Sequence, residues 1–228
     1  MENPFLGMTS RGLLDRNVFG LKLSRGDDDP GEIMFGDINH DLYEGKLKVL
    51  HLLHDNYDWG SAYGRWNVPA TSIGVGNHSV SLKGYAASLD SDFPLISLPE
   101  TIVMLLENQL GLKRPTRWSP SMMNCSNREG AEDLIISLGG HDFVLSAYEY
   151  TIELEELQYG GHVCLSAFRA LPTSRPPILP EKFIHLGSSF LRRFYGVFDL
   201  DERTVSRKLH FTPFLFLYPR NRVNSTRF

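Results

Sequence analysis

Asp90 is the residue in this chain best placed to do chemistry. A small apolar approach, Ala86-Ala87-Ser88-Leu89, delivers it into a turn, Ser91-Asp92-Phe93-Pro94. A carboxylate at the end of a buried strand is costly unless something uses it. The chemistry within reach of such an acid is general acid or base work. Four other groupings compete with it. Arg25-Gly26-Asp27 has the form of an adhesion tripeptide, and Asp27, Asp28 and Asp29 could be taken for a cation site. A calcium loop needs several oxygen ligands at defined spacing, so a solvated, acidic hairpin tip is the simpler reading. His51 and His54 have the look of metal spacing, but positions three apart on a strand face opposite ways. Gly74 and Gly76 lack the strand-then-helix setting of a phosphate loop and read as a β-turn.

The elements that must position Asp90 are short and many. Asn3-Pro4 starts a helix running towards Leu14. Phe19, Leu21 and Leu23 alternate with polar or small residues as in a half-buried strand, and Glu32–Phe35 returns after the loop. Further strands are read at Tyr43–Leu50, from Trp66, and at Tyr148–Leu154, Cys164–Phe168 and Lys182–Leu186. Leu134–Leu138 and Phe143–Leu145 flank Gly139-Gly140-His141-Asp142 as a hairpin. After Asp90, the apolar run Leu95–Leu98 leads through Pro99 and Glu100 into the best helix, Thr101–Leu110, with Gly111 behind it. A proline-rich loop spans Pro172–Pro180, Ser188–Phe194 is a short helix or turn, and Tyr195–Leu200 pairs with Thr204–Ser206. The sum is a mainly antiparallel β domain with two or three short helices.

Composition narrows the partners. At 228 residues, 42% hydrophobic and 22% charged, the chain can bury a proper core. A net charge of −4 leaves no electrostatic footprint for nucleic acid or an anionic membrane. No apolar run approaches the roughly 20 residues that span a bilayer, and no secretory signal is visible at the N-terminus. Cys125 and Cys164 could be a disulfide or two buried thiols. Sequons at Asn77, Asn124 and Asn224 fit a secretory origin and are candidate glycosylation sites.

The order of segments resembles the C-terminal lobe of pepsin-like aspartic peptidases, from about Asn3 to Ser206. Gly31-Glu32-Ile33-Met34-Phe35-Gly36-Asp37 resembles the family's GE-hydrophobic-FGG hairpin, and Trp66 stands where a tryptophan opens the next strand. Asp90 aligns with the second Asp-Thr/Ser-Gly, and Leu95–Pro99 with the apolar run behind it. Leu138-Gly139-Gly140, Leu186-Gly187, Phe190-Leu191-Arg192 and Val197-Phe198-Asp199 resemble further landmarks. The resemblance implies a single lobe of the bilobal acid-protease fold, with antiparallel, closed-barrel-like sheets, over residues 1–206, followed by a divergent tail at 207–228. It implies a Cys125–Cys164 bridge, which would constrain the unfolded chain by about 3–4 kcal/mol in the entropy model. It also implies a secreted or vacuolar compartment, a peptide or protein substrate, and no cofactor or metal.

The family's reaction, peptide-bond hydrolysis, needs two carboxylates sharing one proton, one from each lobe. Asp90 would be the second of the pair and Ser91 its supporting hydroxyl. No second D-T/S-G occurs here, Asp92 replaces a glycine, Phe93 removes a hydroxyl, Pro94 removes a backbone donor, and Ser188 stands where the family often has Asp. The expectation is therefore a truncated lobe that is non-catalytic on its own. Two alternatives stand beside it. One is an active endopeptidase formed by homodimerisation or by pairing with a separate N-terminal lobe. The other is a non-enzymatic peptide- or protein-binding or inhibitory module.

Overall fold

Two tight turns set the strand plan. Gly139 and Gly140 both take positive φ, 54° and 85°, the conformation that a two-residue hairpin of right-twisted strands requires. They join Leu134–Leu138 to His141–Leu145; the hairpin is the expected one, but His141 and Asp142 are paired strand residues rather than part of the turn. Gly76 and Asn77 make the turn between Asn67–Val75 and His78–Leu89, where only the glycine takes positive φ, 54°, and Gly74, expected in this turn, is a paired residue of the first strand. The computed structural model describes residues 3–26, 28–53, 66–116, 119–156, 161–171 and 182–209.

In chain order the strands begin with β1 (Val18–Lys22), β2 (Glu32–Phe35), β3 (Lys48–His51), β4 (Asn67–Val75) and β5 (His78–Leu89). They continue with β6 (Ile96–Leu98), β7 (Met122–Asn124), β8 (Leu134–Leu138), β9 (His141–Leu145) and β10 (Thr151–Glu156). The last are β11 (Gly161–Ser166), β12 (Phe168–Ala170), β13 (Phe183–Leu186), β14 (Phe194–Asp199) and β15 (Thr204–Leu209). Among the described residues the α-helices are α1 (Pro4–Ser10), α2 (Glu100–Gln109), α3 (Ala147–Tyr150) and α4 (Ser188–Leu191), so α3 adds a fourth short one to the expected set. Among the described residues three sheets form, in the orders β2-β1-β14-β15-β3, β10-β11-β7 and β12-β6-β13-β5-β4-β8-β9. They stay open rather than closing into a barrel, because β9 and β12 end the largest sheet with no outer strand paired to them among the described residues.

The core lies where the five- and seven-stranded sheets face each other. Leu50, Phe198 and Val205 from one meet Val68, Leu138 and Phe143 from the other, all buried. Each such side chain contributes about 1.5–3 kcal/mol relative to exposure. Helix α2 closes one side with Ile102, Val103 and Leu106, one helical face, while Met104 points to solvent. Its buried Glu107 is held by a two-pronged contact from Arg114, at 2.7 to 3.0 Å. The five-stranded sheet is covered on both faces, with Val18, Tyr195 and Val197 forming a second small core under Leu42 and Tyr43.

The first hairpin departs from its expected form. The acidic tip is not wholly solvated: Asp29 is buried. Lys22, buried at the end of β1, donates to its Oδ1, and Arg25 Nε donates to its Oδ2 at 2.6 Å. Burial pushes the Asp29 carboxyl up, but the Lys22 and Arg25 hydrogen bonds outweigh it and hold the group below the usual range. The arginine of the adhesion-like tripeptide is therefore turned inward onto Asp29, and Asp27 lies outside the described residues. His51 is exposed on β3, while His54, the loop Pro172–Pro180, Asn224 and the tail from 210 also lie outside them.

Candidate functional site around Asp90

Strand β13 supplies the seat for Asp90. It lies between β5 and β6, parallel to β5 (Ala86 beside Phe183, Leu89 beside Leu186) and antiparallel to β6. The chain leaves β5 at Asp90, crosses over the end of β13, and returns as β6. The crossing is tied down by backbone groups. Gly187 N–H donates to Leu95 O at 3.0 Å, Ser188 N–H to Phe93 O at 2.6 Å, and Ser189 N–H to Pro94 O at 3.1 Å. Ser189 Oγ also donates to Pro94 O, at 2.6 Å. Gly187 is what permits this contact, since a Cβ there would stand 2.1 Å from Phe93 O and 2.4 Å from Leu95 O.

Asp90 itself is not buried; its side chain is 39% exposed at one end of a cleft. Its backbone N–H donates to Leu186 O at 3.2 Å. Both carboxylate oxygens are engaged from within the lobe. Oδ1 accepts from the Asp92 backbone N–H at 2.9 Å, a local turn that the residue in the glycine position completes. Oδ2 lies 2.9 Å from Nε2 of His185. The imidazole is fixed in turn: Phe93 stacks on it with centroids 4.6 Å apart and planes 8° apart, and Phe183 stands 6.0 Å away. Thus Phe93, which removes a hydroxyl from the motif, supplies an aromatic wall for the partner of the acid.

The cleft encloses about 820 Å³ and is largely aromatic, with Phe5, Phe19, Trp66 and Phe198 among its walls and Asp90, Ser91 and His185 at its polar end. Ser91 is exposed at its lip. Ile33 and Phe35 continue the apolar wall into solvent, at 52% and 38% exposure.

Sequence reasoning brought forward Asp90 and Ser91 and missed His185. The local pattern held only half of the signal, since the pairing that brings this strand to Asp90 spans 95 residues. In Phe183-Ile184-His185-Leu186 the alternation sends Ile184 and Leu186 into the core, and a histidine on the opposite face of a strand beside Asp90 is a candidate partner. Cys125 and Cys164 are joined as a disulfide across 39 residues. Asn77 is exposed in its turn. Asn124 is exposed too, and its Oδ1 accepts from Ser126 N–H at 3.0 Å and Ser126 Oγ at 2.9 Å.

A β-rich lobe in which an acid sits where its loop crosses an inserted strand defines a lobe of the acid-protease type. Comparison with known proteins agrees: the profile of eukaryotic aspartyl proteases matches residues 1–208, and the chain belongs to that family. It is 31% identical over 204 residues to vacuolar protease A of Aspergillus fumigatus, covering 89% of this chain and 47% of that protein. Vacuolar protease A of Neurospora crassa is 30% identical over 203 residues, covering 89% and 46%. Cathepsin D of Bos taurus is 28% identical over 207 residues, covering 88% and 49%. The chain therefore spans about half the length of these relatives. Among the described residues no helix is long and apolar enough to cross a membrane.

Proposed function

We propose that this lobe is an aspartic-peptidase-type domain that does not hydrolyse peptide bonds by itself. The observation that carries the reading is the contact of His185 Nε2 with Asp90 Oδ2 at 2.9 Å. A peptidase dyad works because two carboxylates about 3 Å apart share one proton, leaving one ionised to activate water and one to polarise the scissile carbonyl. Here the acid is matched with an imidazole of its own lobe, and Asp92 closes a turn on its other oxygen. Asp90 and Ser91 are the family's site residues carried onto this chain, with the dyad chemistry withheld. The names of the relatives and the disulfide support a vacuolar or secreted setting.

The experiment is proteolysis of a denatured protein substrate at acidic pH, with and without pepstatin, using Asp90→Ala as control. No activity above the control is expected. Pepstatin-sensitive cleavage that disappears in Asp90→Ala overturns the reading.

A second reading has its own support. The aromatic cleft with Ile33 and Phe35 at its rim is the surface a separate N-terminal lobe or a second copy would cover. In that case an endopeptidase forms on assembly, and sedimentation at increasing concentration is the check. A strict monomer that captures no partner chain leaves the lobe as a peptide- or protein-binding module.

A further inference from the structure

The disulfide carries a partner that a purely structural bridge does not need. Cys164, on β11, is fully buried, whereas Cys125, at the start of the 3-10 turn Cys125–Gly130, is partly exposed. From the same turn Arg128 folds back onto the buried sulfur. Its Nε–H donates to Cys164 Sγ at 2.8 Å, and its Nη2 reaches the same atom. Nη2 also donates to Glu153 Oε2 at 2.5 Å, and the guanidinium lies 5.0 Å from the centre of the Tyr148 ring. Arg128 is only 7% exposed, so its charge is held in place. A disulfide sulfur is a weak acceptor and gains little from a buried cation. A thiolate in the same position gains much, because a neighbouring cation lowers a thiol's pKa and makes it a better leaving group.

We propose that Cys125–Cys164 is a site of thiol–disulfide exchange, opened by a dithiol reductant that attacks Cys125 and expels Cys164 towards Arg128. One thiolate of the reductant bonds to Cys125 Sγ, the Cys125–Cys164 bond breaks, and Cys164 leaves as a thiolate. The second thiol of the reductant then attacks the mixed disulfide and closes its own ring. Two electrons pass to the protein, one proton goes to Cys125, and the other goes to solvent. Access and charge point the same way: the sulfur that can be reached is the one attacked, and the sulfur that leaves is the one beside the cation. Glu153 opposes the step, since its carboxylate lies within 4.8 Å of both sulfurs, and its pairing with Arg128 and with His162 Nδ1 at 3.0 Å offsets that repulsion. Reduction releases the 3-10 turn from its covalent tie to β11 while the β7–β11 pairing, Met123 beside Cys164, remains.

The test is reduction of the native full chain by dithiothreitol, with free thiols counted over time by a maleimide gel shift. The wild type is expected to open without denaturant, Arg128→Gln to open about tenfold more slowly, and Glu153→Gln to open faster than wild type. A bridge that resists until the chain is denatured, or an Arg128→Gln variant that opens as fast as wild type or faster, overturns the proposal, since mere loosening of the turn speeds both variants. If Arg128→Gln does not fold, brief treatment of the wild type with cysteamine, acid quenching and peptide mapping decides. The adduct is expected on Cys125; an adduct on Cys164, or none, overturns it.

Discussion

The guanidinium of Arg207 lies 5.5 Å from the ring centre of Phe198, wholly buried between the two large sheets. Phe190 stands at the same distance on another side, and among the described residues neither Nε nor Nη2 finds a hydrogen-bond partner. Aromatic faces offset part of the cost of burying a cation, but a hydrogen-bonded anion would offset more.

Arg207→Met should therefore stabilise the lobe by about 1–4 kcal/mol at neutral pH, the range seen when buried charge gives way to apolar packing. Burial pulls the Arg207 pKa down to about 9. A base whose folded pKa is depressed destabilises most while it is charged, so the advantage of the variant should narrow above about pH 9. Urea denaturation from pH 7 to 11 checks both statements.

Asp29 behaves in the opposite sense. Its folded pKa is lowered, so its contribution is present above the unfolded value of about 3.9 and is lost as pH falls through the folded value. Asp29→Asn should cost about 3 kcal/mol at pH 7, because it leaves Lys22 buried without its counter-charge. The gap between wild type and variant should close as the pH falls below about 4, measured by thermal melts across that window.

The His185–Asp90 pair should add little to stability. Asp90 is 39% exposed, and solvent screens such contacts. A double-mutant cycle of His185→Leu and Asp90→Asn should give a coupling of no more than about 1 kcal/mol. A larger value would show the pair to be part of the folding core.

Gly187→Ala should be far more costly. The new methyl group would meet two backbone carbonyls of the crossing loop, neither of which can swing aside as a side chain can. A loss of about 3 kcal/mol is expected, together with displaced amide resonances at Phe93 and Leu95 in heteronuclear NMR spectra.

Much of this was legible in the chain wherever the cause is local. Gly139-Gly140 and Gly76-Asn77 announce their turns, and Pro99 and Gly111 bracket α2 within a residue of where it forms. Asp90 stood out because its approach is so apolar. The long-range part was not legible. Parallel pairing of β13 with β5 has no local signature, so nothing near Asp90 announces His185, 95 residues away. Buried Asp29 was likewise hidden, because an aspartate in a run of three looks like any solvated loop until Lys22 is seen to need it.

The insertion of β13 between β5 and β6 also orders events in time. During synthesis β5, Asp90 and β6 emerge long before the strand that separates them, so the seat of the acid stays empty until residue 186 is available. Pairings of such sequence separation are slow to close. A ribosome-bound chain stopped short of Phe183 would hold the β4–β5 hairpin but leave the cleft without its floor, a nascent intermediate with aromatic surface for a chaperone to cover.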